Sequence, residues 1–507
     1  MRMSAGAHRK NSTVAAVPRV GGATPLLRVQ RRRLQLKADP TRVITRLFLP
    51  AGEERVRAIF ERVLALADDQ VSSVLGRVIQ DFSSRHKDIT AAFRAHFEEA
   101  ARRVNWSGTL SPDRCLLIGA YFTSEYSLES VALYNPSIVP HPDQNGLPNN
   151  ACRFIVSLRA CGEGHISSIE FRSGVIDGRN RITLDPLLGF TACEQRVPDK
   201  RYEKYPFFLK LIEMGAYNAT AEGVLRDLGA YFTLEDLERA VAQHRQDSDD
   251  LEYLRESLDN ILWLARSNYH LTFPEDSDIS ERVIFPVSEN ESCGIEDARF
   301  VRFVDENGNV EYFATYSAHN GFRVLPQFIE TSDFRHFKII TLNGRYAQYK
   351  GMALFPRKID GSYLMISRMD GENLYLMPSG NRHFWNESIL LQQPKQPWEF
   401  VQIGNCGSPL ETREGWLLLT HGVGPLRQYC MGAMLLDLRD PSKVIGQLEM
   451  PLLMPNAEDR DGHVPNVVYS CGALIHNDVL IIPYARSDTA TAFATVPLVD
   501  LLTHLSG

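Results

Sequence analysis

The spacing of apolar residues divides the chain into two helical regions and a larger region of short strands. From Glu53 to about Arg103, apolar residues recur at steps of three and four, as in EERVRAIFERVLALADDQVSSVLGRVIQDF, and Gly and Pro are nearly absent. A second helical pattern runs from about Lys204 to Arg266 and includes LEDLERAVAQHRQ and LEYLRESLDNILWLAR. Most of the remaining chain shows short apolar runs between polar turns, which is typical of β-strands.

One pattern recurs in the strand-rich region at intervals of about 50–60 residues. Each copy has a polar turn, an apolar and aromatic strand, and a polar or charged cluster. The copies are DENGNVEYFATYSAHNG (305–321), KIDGSYLMISRMDG (358–371), TREGWLLLTHGVG (412–424) and HNDVLIIPYARSDT (476–489), and ACRFIVSLRACGEGHISSIEF (151–171) resembles a fifth member. Such repeats are typical of a β-propeller. We predict a mainly β fold, a five-bladed β-propeller with an N-terminal helical segment and a helical insertion.

A polar cluster follows the apolar strand in each of four copies. The clusters are His319 with Asn320, Arg368, His421, and Arg486 with Asp488. Because the strands of a propeller converge on its axis, we expect these clusters to meet at one mouth of the central channel. The alternative for any single cluster is a solvated loop end.

These patterns predict three regions. Residues 1–39 contain nine Lys and Arg residues against one acid, which indicates a disordered basic tail. Residues 40–110 are predicted to form a helical extension, and residues 111–507 the propeller domain, with the helical insert at about 204–266. The extension covers one side of the propeller or joins two subunits of a homo-oligomer, and the pattern leaves both open.

Composition narrows the function classes. The formal net charge of -7 argues against a nucleic-acid-binding surface over the whole molecule. The tail lacks an apolar run of the length of a secretory signal, and no stretch approaches 18 uninterrupted apolar residues, so we expect no membrane span and a cytoplasmic location. Eight cysteines without a CxxC pair predict buried thiols, and no His, Asp or Glu spacing predicts a metal site.

The stretch CGIEDARF (293–300) places two carboxylates and a guanidinium at the start of a predicted strand. Gly294 frees the backbone, so Asp297 can point away from its apolar neighbours, and Asp297 and Arg299 share a face of the strand. Two interpretations stay open. The charges form an ion pair that pins the edge of a blade, or the acid lies in a cleft that raises its pKa until it can protonate a leaving group.

Three basic residues favour the second interpretation. Lys350 lies in RYAQYKGMALFP, Arg368 follows across a strand, a turn and a strand, and His421 ends the equivalent strand of the next repeat. Together at one mouth they would bind an anion, and phosphate is the obvious small one. A Gly-rich phosphate-binding loop is absent from the sequence, which disfavours a nucleotide.

An ordered set of motifs resembles glycoside hydrolase family 130, the β-mannoside phosphorylases and mannosidases built on a five-bladed propeller. The motifs are GIEDARF, KGMALFPRKIDGSYLMISR, NCGSPLETREGWLLLTHGVG, DPSKVIG, GHVPNVVYSCGALI and YARSDTATAFATV. The resemblance covers about residues 130–505. The helical stretch at 40–105 and the insert lie outside the common core and resemble the longer members of the family.

The resemblance implies a role for each matching residue. Asp297 matches the general acid, which is thought to reach the glycosidic oxygen through the 3-hydroxyl of the sugar. The residues that match those holding the mannosyl unit are Asn135, Ser137, Arg159 and Asp488. The residues that match the phosphate-binding region are Lys350, Arg368 and His421.

The resemblance also implies the reaction: inverting phosphorolysis of β-mannosides, with β-1,2-linked manno-oligosaccharides and inorganic phosphate as substrates, α-mannose 1-phosphate as product, and no cofactor. A phosphorylase needs only the acid because phosphate is the nucleophile, whereas an inverting glycosidase needs a second carboxylate. Glu411 in SPLETREGW stands where several phosphorylases have Lys, and its carboxylate would repel phosphate but activate water. Hydrolysis with Glu411 as the base therefore stays open, as does a propeller that binds glycans without catalysis.

Overall fold

The computed structural model of the chain describes residues 27–192, 195–198, 201–246, 251–286, 288–321 and 324–506. The described residues form a mainly β protein with nine α-helices. The helices are α1 (Glu53–Leu64), α2 (Asp68–Phe82), α3 (Ile89–Arg103), α4 (Pro112–Tyr121), α5 (Lys204–Glu213), α6 (Ala219–Arg226), α7 (Leu234–Gln246), α8 (Leu251–Arg266) and α9 (Leu498–Ser506). The strands are β1 (Gln30–Leu36), β2 (Val43–Leu47), β3 (Thr123–Ser127), β4 (Ala132–Pro140), β5 (Cys152–Cys161), β6 (Ser167–Ile176), β7 (Ile182–Leu184), β8 (Gln195–Pro198), β9 (Tyr202–Glu203), β10 (Tyr231–Phe232), β11 (Tyr269–Thr272), β12 (Val283–Ile284), β13 (Ile295–Val304), β14 (Val310–His319), β15 (Val324–Thr331), β16 (His336–Thr341), β17 (Ala353–Leu354), β18 (Tyr363–Ser367), β19 (Leu374–Ser379), β20 (Ile389–Gln392), β21 (Gln402–Asn405), β22 (Leu410–Glu411), β23 (Trp416–Val423), β24 (Tyr429–Leu436), β25 (Val444–Gln447), β26 (Val468–Tyr469), β27 (Leu474–His476), β28 (Val479–Arg486) and β29 (Ala490–Pro497).

Five antiparallel sheets of four to six strands contain most of these strands. Read from the first strand of each, the orders are β4-β5-β6-β12 with β7 on β6, β13-β14-β15-β16-β11-β8, β17-β18-β19-β20, β21-β23-β24-β25 with β22 on β23, and β26-β28-β29-β1 with β27 on β28. Each sheet contacts the next in this order, and the sheet of β26 contacts the sheet of β4. The apolar strand of each predicted repeat is the second strand of its sheet, namely β5, β14, β18, β23 or β28. The repeat pattern therefore marks the same position in all five sheets.

The end of the predicted basic tail is ordered. Residues 1–26 lie outside the described residues, but Gln30–Leu36 form β1, which pairs with β29. Arg31 strengthens this pairing because its guanidinium contacts the Asp459 carboxylate at 2.6 Å and the Met454 carbonyl oxygen at 2.6 Å. The prediction of disorder is wrong for this segment, because its partners lie more than 400 residues away and local composition does not reveal them.

The two helical regions have cores of their own. Helices α1 to α4 pack around Phe60, Phe93 and Leu117, so α4 belongs with the extension although the predicted boundary lies at residue 110. Helices α5 to α8 span the predicted insert and bury Leu211 and Leu258.

Helix α5 ties the insert to the segment between β16 and β17. Lys210 Nζ donates to the Leu342 carbonyl oxygen at 2.6 Å, and Glu213 Oε1 accepts from the Gly344 amide at 2.5 Å. Because that segment includes Lys350, the insert contacts the part of the chain that carries a predicted site residue.

Candidate active site

Asp297 lies in a β-bulge near the start of β13. The pairing of β13 with β14 shifts between Glu296 and Arg299, and Asp297 has φ +55, in the left-handed region. Gly294, just before the strand, has φ +115, and a Cβ there would lie 2.6 Å from the Ser167 amide nitrogen. A bulge re-aims a side chain, and a non-glycine residue in this backbone region costs free energy. The bulge leaves the Asp297 side chain 17% exposed.

Asn135 occupies a matching bulge in the neighbouring sheet. The pairing of β4 with β5 shifts between Tyr134 and Ser137, and Asn135 has φ +48. Its Nδ2 donates to Asp297 Oδ1 at 2.6 Å. Two bulges on adjacent strands therefore bring the predicted acid and a predicted sugar-binding residue into contact.

Arg159, in β5, connects both carboxylates of the motif. Its guanidinium lies 3.0 Å from Glu296 Oε1 and 3.6 Å from Asp297 Oδ1. The ammonium of Lys350 bonds to the other oxygen of Glu296. Glu296 thus bridges Arg159 and Lys350, and the predicted phosphate-binding lysine lies in the same cluster as the predicted acid.

A second line of contacts leads from the motif to Arg368 and His421. Arg299 is buried and bonds to the Tyr469 hydroxyl. The Tyr469 ring packs edge-on against His421 with 5.0 Å between ring centroids. His421 Nε2 lies 3.3 Å from Arg368 Nη1. The structure therefore brings all three predicted phosphate-binding residues into the neighbourhood of Asp297.

His421 is a neutral acceptor in this cluster. Burial, followed by the charges of Arg368 and Arg299, lowers its pKa well below the ordinary value. Its Nδ1 lies 3.3 Å from the Asn405 carbonyl oxygen, which fixes the ring proton there and leaves Nε2 to accept from Arg368. The sequence left open a positive charge on His421. In the structure its neutral ring instead orients the Arg368 guanidinium.

The pKa of Asp297 is lowered, which reverses the prediction of a raised value. Burial opposes its ionisation, but the Arg159 and Arg299 guanidiniums, the Asn135 amide and Lys350 together hold the pKa below the ordinary range. In the free protein Asp297 is therefore a carboxylate.

Asp488 is the carboxyl group whose pKa is raised. It lies in the turn between β28 and β29 with φ +50. Burial, and then the negative charge of Asp297, raise its pKa to about 7 against the opposing effect of Arg159. The cluster therefore contains a second carboxyl group that is partly protonated at neutral pH.

Ser137 does not face this cluster. It is completely buried, and its Oγ accepts from the Phe300 amide at 3.1 Å. Its hydroxyl joins β4 to β13 instead of lining the cleft, so the structure gives it a packing role and not the predicted contact with a sugar.

Glu411 lies towards the opposite end of the inner strands. Its carboxylate forms a two-point ion pair with Arg357, at 2.7 and 2.8 Å. Both residues line a cavity of about 270 Å³ that also includes Val304. Asp297 is near the start of β13 and Val304 at its end, and at about 3.3 Å per residue these positions lie roughly 20 Å apart. The structure does not bring Glu411 to the predicted phosphate-binding residues, contrary to the arrangement that a base for hydrolysis requires.

Sequence reasoning assigned no catalytic or binding role to three residues of the cluster: Glu296, Arg299 and Tyr469. Glu296 and Arg299 belong to CGIEDARF, and Tyr469 lies in VPNVVYSCGA. Both motifs are among those that carry the family resemblance. Only the fold, however, shows that Glu296 contacts Lys350 and that Arg299 contacts Tyr469.

The described part of the chain offers neither a metal-binding cluster nor a membrane-spanning helix. Within it, no group of three or more His, Cys, Asp or Glu side chains is arranged to hold a metal ion. Over the same residues, no helix has the length and apolarity needed to cross a membrane.

Comparisons with known proteins assign the family. The chain is 33% identical over 153 residues to a 1,2-beta-oligomannan phosphorylase of Thermoanaerobacter sp. (strain X514), a match that covers 30% of this chain and 52% of that protein. It is 29% identical over 248 residues to a beta-1,2-mannobiose phosphorylase of Listeria innocua, covering 48% of this chain and 67% of that one. The chain thus spans about half the length of the first relative and two thirds of the second.

A solved structure and a family model complete the comparison. The crystal structure of beta-1,2-mannobiose phosphorylase from Listeria innocua with beta-1,2-mannobiose matches with a TM-score of 0.45 and 20% identity, over 75% of this chain and 93% of that chain. The model of the family described as beta-1,4-mannooligosaccharide phosphorylase matches residues 234–506, more than half of the chain. The chain therefore belongs to glycoside hydrolase family 130, whose members are glycoside phosphorylases and glycosidases.

Proposed function

We propose that this protein is a β-mannoside phosphorylase that cleaves β-1,2-linked manno-oligosaccharides with inversion and releases α-mannose 1-phosphate. The observation that carries the proposal is the connected cluster in which Asp297 lies with Lys350 and Arg368, while Glu411 lies elsewhere. The β-1,2 linkage is taken from the names of relatives. We also infer that the five sheets are the blades of a five-bladed propeller, which is supported by the closed order of their contacts.

In the proposed reaction a phosphate oxygen attacks the anomeric carbon as the glycosidic carbon–oxygen bond breaks. The departing oxygen takes a proton that comes from Asp297 through the 3-hydroxyl of the sugar. Lys350 and Arg368 hold the phosphate in line and balance its charge. Lys350 already bonds to Glu296, so phosphate shares this ammonium or displaces the carboxylate. The reaction needs inorganic phosphate as co-substrate and no metal or organic cofactor.

Phosphate also prepares the acid in this proposal. Asp297 has a lowered pKa in the free site because positive charges surround it. A phosphate anion beside Lys350 and Arg368 adds negative charge nearby and neutralises part of that field, which raises the pKa of Asp297. With its pKa raised, the Asp297 carboxylate takes up a proton from solvent, and it can donate this proton once the nucleophile is bound.

The mannosyl unit is assigned to the side of the cluster formed by Asn135, Arg159 and Asp488. These side chains border Asp297, and two of them, Asn135 and Asp488, are held in left-handed turns or bulges. At a pKa of about 7, Asp488 can donate or accept a hydrogen bond, which suits a sugar hydroxyl.

The test compares β-1,2-mannobiose turnover in phosphate buffer and in phosphate-free buffer. We expect mannose 1-phosphate and mannose in the first and no turnover in the second. Arg368→Met should raise the KM for phosphate about tenfold or more, because a charge-assisted contact is lost. Arg357→Met, the matched change at the Glu411 end, should leave this KM unchanged. Free mannose at equal rates in both buffers would show hydrolysis and overturn the proposal.

A further inference from the structure

A polar cavity lies between the helical insert and the outer strands of the β13 sheet. Its volume is about 260 Å³, and its lining includes side chains from the insert, from β16 and from the segments that follow β16 and β19. The polar residues that matter here are Arg201, Lys210, Lys338, Thr341, Asn343 and Asn381. None of the residues assigned above to the active site lines it.

The cavity contains an unsatisfied acceptor. Asn343 is only 5% exposed, and its Nδ2 donates to the Thr341 carbonyl oxygen at 3.2 Å. Its Oδ1 is buried without a hydrogen-bond partner among the residues that the structure describes. Buried amide oxygens are rarely left unpaired, because the lost hydration is not recovered. The Asn343 oxygen therefore indicates a ligand that donates a hydrogen bond, such as a hydroxyl group.

Basic side chains outnumber acidic ones around this cavity. Lys338 has no carboxylate within ion-pair distance in the described part of the chain, and the Arg201 guanidinium lies 4.2 Å from the centre of the Tyr231 ring, which leaves its N–H edges available. Lys210 is buried and uses its ammonium on the Leu342 carbonyl and on Glu213.

The negative groups near the cavity do not balance these cations. Glu203 is the one carboxylate among the described residues that line the cavity. Glu330, in the strand beside Lys338, is occupied by Arg382 and His383 at 2.7 and 2.8 Å. An anionic group on a ligand would therefore find its partners at Lys338 and Arg201.

Size and chemistry together define a ligand class. Small-molecule sites typically have volumes of roughly 300–1,000 Å³, so this cavity suits a ligand of about one sugar unit and not an oligosaccharide. The ligand must carry both an anion and hydroxyl donors. We propose that the cavity is a second ligand site, separate from the active site, that binds a monosaccharide phosphate. This proposal goes beyond the proposed function and does not require the chain to catalyse phosphorolysis.

The test is hydrogen–deuterium exchange of the full chain with three probes: mannose 1-phosphate, inorganic phosphate and mannose. Exchange is read in peptides covering 201–213 and 338–344, and separately in active-site peptides covering 293–300 and 363–368. We expect mannose 1-phosphate to slow exchange in the cavity peptides at least twofold, and mannose or phosphate alone to do much less. The active-site peptides report on the proposed function independently.

Variants at one position make the test specific. Lys338→Arg keeps the charge and should keep the protection, whereas Lys338→Glu should weaken mannose 1-phosphate binding at the cavity peptides tenfold or more. Lys395→Glu, in the loop that follows β20, is the matched control and should behave as the wild type. Unchanged protection in Lys338→Glu, or no protection of the cavity peptides in the wild type, would overturn the proposal. Equal protection by phosphate alone would show a free-phosphate site and overturn the assignment of a sugar phosphate.

Discussion

The two ends of β13 place charged residues in opposite ways. At its start, Asp297 and Glu296 share Arg159, while Lys350 bonds to Glu296 and Asn135 to Asp297, whose backbone is left-handed. Near its end, Glu411 and Arg357 form one two-point ion pair, and the surrounding cavity is mostly apolar.

This difference separates a site from a structural contact. An isolated carboxylate and guanidinium that satisfy each other leave neither available for a substrate. At the Asp297 end, the cations outnumber the carboxylates that they contact directly, and Asp297 keeps a strained left-handed backbone. Strain and shared partners of this kind cluster at functional sites. The comparison supports the proposal that catalysis takes place at the Asp297 end.

The largest expected effect is that of Asp297→Asn. Asn tolerates the left-handed backbone and keeps the side-chain shape, but its amide cannot transfer a proton as a carboxylic acid does. We expect kcat for release of mannose 1-phosphate to fall by a factor of about 10² or more. Initial rates measure this, and an unchanged melting temperature serves as the control for folding. A change in affinity alone would instead favour a glycan-binding protein without catalysis.

A smaller effect is expected for Asp488→Asn, and it depends on pH. The pKa of Asp488 rises from 3.8 to about 7 in the folded state, so the folded state binds this proton more tightly than the unfolded state. Its stabilising contribution is complete below about pH 4 and is lost as pH rises to 7. Asn stays neutral, so the variant should lose less stability than the wild type between pH 5 and pH 8, by roughly 2–3 kcal/mol. Urea unfolding at the two pH values measures the difference, and parallel pH profiles would contradict it.

The smallest effect is expected for Glu411→Gln. The ion pair with Arg357 is partly exposed, at 41% and 39%, so its loss should cost about 1 kcal/mol or less. We expect turnover to stay within about twofold of the wild type in the mannobiose assay. Loss of turnover with retained sugar binding would restore Glu411 as a base and remove the contrast between the two ends.

Much of the arrangement could be predicted from sequence where the signal is local and repeated. The apolar strand of each repeat recurs along the chain, and Arg368 follows β18 while His421 lies near the end of β23, so the meeting of Arg368 and His421 was predictable. The insert was predictable for the same reason, because amphipathic helices have a local pattern.

Other features depend on partners that the local sequence does not reveal. Arg357 lies 54 residues before Glu411, and only the fold shows that they pair. The bulges at Asn135 and Asp297 arise from how two strands align, which neither strand encodes by its own composition. The direction of the Asp297 pKa shift follows from Arg159, more than 130 residues earlier in the chain. Sequence identified the residues of the motif but not their neighbours.

The backbone conformation of Asp297 also limits natural variation at this position. Gly, Asn and Asp adopt φ near +55 at the smallest cost, and of these only Asp carries a carboxyl group. A longer acid such as Glu would meet a conformational penalty before its chemistry mattered. Relatives that replace this residue and keep activity would have to reshape the strand as well, so the acid and its bulge are expected to be inherited together.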